Sequence, residues 1–275
     1  MSMKPRPGFP ARIAANANAN TKPRSAVASA AAKVGASPPA NRLHQRAGRA
    51  LHTVAAGHGL DSSAVRANMV AKLAKGGITH RQVLAAFGAV ERHRFVDSAL
   101  VNQAYEDTSL PIGLGQTISK PGVVSRMLEL LMNGASHKLG RVLEIGTGCG
   151  YQAALLSHLA SEVYSIERLR GLHEKARQNL RPFRLANLHL LMGDGMIGYA
   201  KGAPYAAIIA AAGGEALPEA WLDQLAVGGR LVAPVQLPGG SAARQALVVV
   251  DRGSNGFTRT ILEPVLFVPL KSGVE

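Results

Sequence analysis

The segment from Glu144 to Gly150 reads Glu-Ile-Gly-Thr-Gly-Cys-Gly and follows a short apolar stretch. Glycines at a strand-to-helix turn let the backbone approach a ligand closely. Acids recur after the next two predicted strands, as Glu167 and as Asp194 in a Gly-Asp-Gly turn. Each residue alone is explained as turn or cap chemistry, but together they mark the ends of three successive strands. The pattern predicts a site for an adenosine-containing cofactor, with contacts from Glu144, Gly146, Gly148, Glu167, Gly193 and Asp194.

Two kinds of cofactor use such a loop. A dinucleotide prefers Gly-x-Gly-x-x-Gly with its pyrophosphate at a helix N-terminus, but here Tyr151 stands where the third glycine belongs. The carboxylate of Glu144 would also repel a pyrophosphate. S-adenosyl-L-methionine has no phosphate and carries an ammonium and a sulfonium, so an acidic edge suits it. We therefore predict a methyltransferase rather than a nicotinamide enzyme, with Glu167 accepting hydrogen bonds from the ribose hydroxyls and Asp194 from the adenine amino group.

Strand and helix patterns alternate after Gly140, which is typical of a mostly parallel sheet with helices on both faces. The last two strand patterns have no clear helix between them, so we expect an antiparallel edge. The predicted class is α/β, a Rossmann-like doubly wound sheet with added N-terminal helices. Helices are expected from Asp61 or Ser62, from a Thr79 cap, from Ser119 or Lys120-Pro121, and at 151–159, 169–180 and 218–225. Strands are expected at 141–145, 162–166, 188–192, 206–211, 230–234, 245–250 and 265–268.

Charge divides the chain at about residue 60. Residues 1–60 hold nine Lys and Arg without an acid, whereas the rest holds 22 Lys and Arg against 17 acids. The first segment is also rich in Ala, Pro, Asn and Ser, which predicts a disordered basic tail. We expect one methyltransferase domain at 61–275, with helices and a substrate loop at 61–135 and the cofactor-binding sheet at 136–275.

No apolar run is long enough for a membrane span, and the start lacks the apolar region of a secretory signal. The single cysteine, Cys149, forms neither an internal disulfide nor a cysteine-based zinc site. These features predict a cytoplasmic protein without a metal or a membrane, and we expect a monomer that does not depend on nucleic acid. The sequence also lacks Gly-x-Ser-x-Gly, Walker and His-Glu-x-x-His motifs.

The segment 110–119 reads Leu-Pro-Ile-Gly-Leu-Gly-Gln-Thr-Ile-Ser and resembles the segment that marks protein-L-isoaspartate O-methyltransferases. The loop 144–152 is similar to that family's cofactor loop, and the resemblance extends from about Asp61 to Leu270. It implies transfer of a methyl group from S-adenosyl-L-methionine to the free carboxylate of L-isoaspartyl residues in damaged proteins. Such esters re-close to succinimide, and hydrolysis then regenerates some normal aspartate.

The resemblance also implies roles for individual residues. Ser119 corresponds to the family's active-site serine and would position the substrate carboxylate, although it could equally cap the helix it opens. A carboxylate of pKa near 4 is already ionised at neutral pH, so the reaction needs no general base. Gln116, Thr117 and Ile118 would lie across the cofactor. An extended peptide substrate would be held by Leu110, Pro111, Ile112 and Val268.

Four positions depart from the family's pattern, and two of them, Ala211 and Gly213, are smaller than the residues usual there. Lys120 stands where the family usually has a neutral residue, and Ala206 replaces an aspartate common at the start of its strand. The loss of that aspartate motivates one alternative, a weakly active protein that binds damaged peptides. The basic tail motivates another, a methyltransferase acting on nucleic acid or on a small molecule.

Overall fold

The computed structural model describes residues 63–237 and 245–275. The predicted basic tail at 1–60 and the predicted helix caps Asp61 and Ser62 lie outside the described residues. Within the described ranges, none of the helices combines the length and the apolar character needed to cross a bilayer.

Two sheets and six α-helices make up this part of the chain. The strands are β1 Leu110–Gly113, β2 Gln116–Ile118, β3 Leu139–Ile145, β4 Ala160–Glu167, β5 Leu188–Met192, β6 Tyr205–Ala210, β7 Leu225–Gln236, β8 Gln245–Gly253 and β9 Gly256–Val265. The helices are α1 Ser63–Lys75, α2 Arg81–Ala89, α3 Pro121–Met132, α4 Tyr151–Leu159, α5 Arg170–Leu180 and α6 Glu219–Gln224.

The main sheet has seven strands in the order β5-β4-β3-β6-β7-β8-β9. The first five strands in this order run parallel, and β7, β8 and β9 pair antiparallel. The chain reverses its direction of winding between β3 and β6, and in such sheets ligands bind at the carboxyl ends of the strands beside that point. The predicted fold class, with its antiparallel edge, is confirmed.

Apolar side chains fill both faces of the sheet. On one face, α4 is buried along nearly its whole length, because Ala153 and Ala154 let its backbone lie close to the strands. On the other face, Tyr205 and Trp221 are fully buried among the aliphatic residues of β3, β6 and β7. Because β3, β4 and β6 are buried toward their carboxyl ends, these ends are held at fixed positions.

Two predicted boundaries are wrong. The last strand is β9, which ends at Val265, rather than a strand at 265–268. Its first six residues are exposed and largely polar, so it lacks an apolar run, and the Asn-Gly turn at Gly256 is the hairpin signal that marks it. Thr79 does not cap α2, whose N-cap is His80. Instead, Glu129 of α3 accepts hydrogen bonds from the Thr79 and His80 amides at 2.6 and 2.9 Å.

Candidate active site

A cavity of about 750 Å³ opens at the carboxyl ends of β3, β4 and β6. One side, which we call the glycine wall, consists of Gly146–Gly150 and Glu167. A second side, the hairpin wall, consists of β1, β2 and Ser119. The structure brings nine of the predicted site residues to this cavity: Ile112, Gln116, Thr117, Ile118, Ser119, Gly146, Gly148, Glu167 and Val268.

The glycine wall follows from the backbone conformation of the loop between β3 and α4. Gly146, Gly148 and Gly150 all have positive φ, at 89°, 57° and 92°, which side chains disfavour. A Cβ on Gly150 would lie 2.7 Å from Cδ1 of Leu180, so this turn has no room for one. The Cys149 side chain points into the core, and burial raises the pKa of its thiol to about 11. It therefore stays a neutral thiol at neutral pH.

Glu167 ties the loop to the end of β4. Its carboxylate accepts hydrogen bonds from the amides of Gly148 at 2.8 Å and Leu169 at 3.0 Å. A carboxylate has about four acceptor positions, so two remain for donors in the cavity. The carboxylate is thus held at the cavity wall by main-chain groups, with capacity for a pair of hydroxyls.

Glu144 lies behind the glycine wall rather than in the cavity wall. It is fully buried and accepts a hydrogen bond from the Ser165 hydroxyl, which lies 2.6 Å from the Thr147 hydroxyl. Burial raises the pKa of Glu144 to about 8, so its side chain is mostly neutral at neutral pH. The expectation that its charge repels a pyrophosphate therefore does not hold, and the carboxylate in the wall is that of Glu167.

Gly193 and Asp194 also lie outside the cavity wall. The Asp194 carboxylate caps the following 3₁₀ turn by accepting from the Met196 amide at 2.8 Å. Its other oxygen accepts from the Gly273 amide at 2.7 Å. Asp194 thus has two main-chain partners, and it stands directly beside the cavity, because the next residue, Gly195, lines it.

The hairpin wall is a two-stranded ribbon separate from the main sheet. Its turn passes through Gly113, Leu114 and Gly115, all with positive φ, and Leu114 is 62% exposed at the rim of the cavity. Ile112 faces the cavity, whereas Leu110 is buried elsewhere in the core and Pro111 is exposed. Leu110 and Pro111 therefore support the ribbon without lining the cavity.

Ser119 lines the cavity between β2 and α3. The N-cap of α3 is Lys120, with Pro121 in the first turn, and Lys120 makes no side-chain cap. The alternative that Ser119 is this helix's N-cap is therefore wrong. The Ser119 carbonyl accepts a hydrogen bond from Arg92 at 2.8 Å. Within the part of the chain that the structure describes, its hydroxyl makes no hydrogen bond to a protein group.

The third side of the cavity comes from the end of the chain, where the predicted residue Val268 lies. Pro269, Leu270, Lys271 and Glu275 also line it. Arg168 fastens this segment with an ion pair to Glu275 at 2.7 Å and a hydrogen bond to the Gly273 carbonyl at 3.1 Å. The sequence analysis did not predict Lys271 or Glu275, because the contacts that place this segment span about 100 residues of chain.

Ala206 lies at the opposite edge of the sheet from the cavity. It is the second residue of β6, whereas Ala211, just after the end of that strand, lines the cavity. Its Cβ packs beside Gly140 at the start of β3. The concern that Ala206 weakens the cofactor site has no geometric support. Among the described residues, no group of three or more His, Cys, Asp or Glu is placed to hold a metal ion.

Comparison with known proteins gives one family. The family model named protein-L-isoaspartate(D-aspartate) O-methyltransferase matches residues 64–275. The chain is 53% identical to the protein-L-isoaspartate O-methyltransferase of Methylibium petroleiphilum over 99% of this chain and 98% of that protein. It is 60% identical to that of Leptothrix cholodnii over 80% of this chain and 78% of that protein.

Solved structures show the same fold. A protein-L-isoaspartate O-methyltransferase superposes with a TM-score of 0.68 at 27% identity, covering 76% of this chain and 67% of the other. A Plasmodium falciparum protein of the same description, solved with S-adenosyl-L-homocysteine, superposes with a TM-score of 0.65 at 23% identity. That pair covers 75% of this chain and 98% of the other.

Proposed function

Because this chain belongs to the protein-L-isoaspartate(D-aspartate) O-methyltransferase family, we propose that it methylates the free carboxylate of L-isoaspartyl residues in damaged proteins. The methyl donor is S-adenosyl-L-methionine, and the ester is the first step of repair. The observation that carries the proposal is that Ser119, on the hairpin wall, and Glu167, on the glycine wall, line the same cavity. A donor bound to one wall would thus face a peptide bound to the other.

The residues of the glycine wall fit the donor. The loop backbone lies open to a ligand at Gly146 and Gly148, and Glu167 retains two free acceptor positions for the ribose hydroxyls. When bound, S-adenosyl-L-methionine supplies an electrophilic methyl group on a sulfonium. Gln116, Thr117 and Ile118 would cover it from the hairpin side. Glu144 would support the loop from behind, by holding Ser165 and, through it, Thr147.

The reaction requires alignment more than acid–base chemistry. An isoaspartyl carboxylate is already a nucleophile at neutral pH, and Cys149 is buried and protonated. The chain's contribution is therefore to hold a carboxylate oxygen in line with the methyl group and to exclude water. The Ser119 hydroxyl is free to donate to that carboxylate, which makes it the positioning group of this proposal.

The peptide would be bound mainly through its backbone. Ile112 and Val268 stand on two sides of the cavity, so an extended segment can pass between the ribbon and the end of the chain. Main-chain recognition suits an enzyme that meets damaged sites in many sequences. We propose that the protein acts as a monomer, and we place that activity in the cytoplasm.

The test is methyl transfer from labelled S-adenosyl-L-methionine to a matched peptide pair. One peptide carries L-isoaspartate and the other carries aspartate at the same position. We expect base-labile label on the isoaspartyl peptide alone. Label on neither peptide, with cofactor binding established by calorimetry, would reject the proposal and redirect the search to nucleic acids and small molecules.

A further inference from the structure

Arg92 is a fully buried cation beside the cavity. It opens a 3₁₀ turn, Arg92–Phe95, just after α2. No carboxylate lies within ion-pair distance of it among the described residues. Burial lowers the pKa of its guanidinium, although an arginine remains charged at any physiological pH. A buried cation without a carboxylate partner is costly, so its presence calls for an explanation.

The contacts of Arg92 connect the two walls. Its Nη2 donates to the Ser119 carbonyl at 2.8 Å and lies 3.5 Å from the Thr108 carbonyl. Its guanidinium carbon lies 4.8 Å from the ring centroid of Tyr151, the residue that follows the glycine loop. Aromatic faces attract cations at this distance. Arg92 therefore lies under Ser119 on one side and against the start of α4 on the other.

A purely structural role does not account for the charge. The two carbonyls are served by one nitrogen, and neither Nε nor Nη1 meets a geometric hydrogen-bond partner among the described residues, although the nearby Tyr151 hydroxyl stabilises the charge. A neutral amide donor would make the same main-chain bond at a lower desolvation cost. Arg230 offers a contrast: it is also buried, but its guanidinium forms two hydrogen bonds with Asp251, at 2.7 and 2.9 Å.

We propose that Arg92 is a positioning residue for the substrate carboxylate, which it aligns through the Ser119 backbone and attracts by its buried positive charge. The inference rests on the proposed function. Arg92 is not part of the cavity lining, so it acts through Ser119 rather than by touching the peptide. In a site of low dielectric a fixed positive charge offsets the loss of water around an incoming carboxylate. The substrate thus supplies the anion that the free protein lacks.

Two substitutions separate the charge from the hydrogen bond. Arg92→Gln keeps a donor for Ser119 but removes the charge, whereas Arg92→Lys keeps the charge with a different shape. We expect Arg92→Gln to raise the KM for an isoaspartyl peptide about 10-fold, with the Kd for S-adenosyl-L-homocysteine changed less than about twofold. Arg92→Lys should keep the KM near the wild-type value and lower kcat. Arg230→Gln, the matched buried control, should lower thermal stability and leave the KM unchanged.

The proposal is overturned if Arg92→Gln and Arg92→Lys raise the KM equally, or if both weaken S-adenosyl-L-homocysteine binding in step with the loss of activity. If Arg92→Gln does not fold, Arg92→Lys decides alone: a KM about 10-fold above wild type contradicts the role of the charge, and an unchanged KM with a lower kcat supports it. A wild-type protein that ignores isoaspartyl peptides would overturn the proposed function and this inference with it. If the wild type is active but Arg92→Gln and Arg92→Lys do not differ in KM, only the inference is overturned.

Discussion

The glycine wall is held by groups from neighbouring strand ends, whereas the hairpin wall is held by side chains from distant parts of the chain. Glu167 reaches the Gly148 amide over 19 residues, and Thr147 meets Ser165 over 18. On the other side, Lys175 of α5 donates to the Ile112 carbonyl at 3.0 Å over 63 residues. Arg92 donates to the Ser119 carbonyl at 2.8 Å over 27 residues.

This difference separates the two tasks of the site. The glycine wall is an extension of a buried parallel sheet, so it is rigid before any ligand arrives. The hairpin wall is a short ribbon outside that sheet, and a two-stranded ribbon alone is marginally stable. Its position depends on a few single contacts, so we expect changes to the glycine wall to alter donor affinity and changes to the hairpin wall to alter peptide kinetics.

The largest effect should come from Glu167→Ala. This change removes the acceptor of two main-chain amides and the proposed partner of the ribose hydroxyls. We expect the Kd for S-adenosyl-L-homocysteine to rise about 100-fold, which is about 2.7 kcal/mol, as measured by calorimetry. Glu162→Ala, at the other end of β4, serves as the control and should leave the Kd unchanged. If Glu167→Ala binds S-adenosyl-L-homocysteine with the wild-type Kd, the glycine wall is not the donor-binding side of the cavity.

Ser119→Ala should have the next largest effect. Because Ser119 belongs to the hairpin wall, the change should appear in the peptide kinetics. Removing the hydroxyl that faces the cavity should lower kcat for an isoaspartyl peptide about 10- to 100-fold, because misaligned reactants lose this much rate. The Kd for S-adenosyl-L-homocysteine should stay within about twofold. Initial rates at saturating donor measure the first quantity. A parallel loss of donor affinity would show that the two walls do not work separately.

Lys175→Met should have a smaller effect, which should again fall on the peptide kinetics and not on donor affinity. It removes the bonds to the Ile112 carbonyl and to Asp97, both 3.0 Å long. We expect the KM for peptide to rise about 3- to 10-fold, without a change in donor affinity. Lys72→Met on the exposed side of α1 is the control. An unchanged KM would mean that the ribbon holds its place without α5.

Glu144→Gln should mainly change how stability depends on pH. The pKa of Glu144 is raised from 4.5 to about 8 by burial, so the folded protein keeps a proton that the unfolded chain has lost. Between these values each rise in pH lowers the stability of the wild type, because the unfolded state binds fewer protons. The variant lacks this slope, so denaturant titrations should show its advantage growing from about pH 5 to about pH 8. Weaker donor binding by the variant at neutral pH would instead place Glu144 in direct contact with the donor.

The smallest effect should come from Ala206→Asp, which restores the family's acid. Because Ala206 lies at the amino-terminal end of β6, away from the cavity, the Kd for S-adenosyl-L-homocysteine should change less than about twofold. Calorimetry on the variant and the wild type checks this. An increase in affinity of about 10-fold would revive the interpretation of this chain as a weakly active peptide-binding protein.

The sequence predicts those parts of the fold that depend on residues close together in the chain. Buried strands, the loop glycines and the acid after β4 are local features, so the parallel sheet and the position of Glu167 follow from the pattern. The strand β9 was missed because an exposed edge strand carries polar residues. The roles of Arg92, Arg168 and Lys175 could not be predicted, because each depends on a contact made across many residues. The neutral state of Glu144 depends on burial, which spacing alone does not show.

The most direct test of the account is repair itself. An isoaspartyl peptide is incubated with the wild-type protein and S-adenosyl-L-methionine, and its isoaspartyl and aspartyl forms are separated by chromatography over successive hours. We predict that the aspartyl form accumulates, because each methyl ester re-closes to succinimide and part of it hydrolyses to normal aspartate. A reaction without the donor should stay unchanged. An isoaspartyl peptide that remains unconverted while the donor is bound would contradict it.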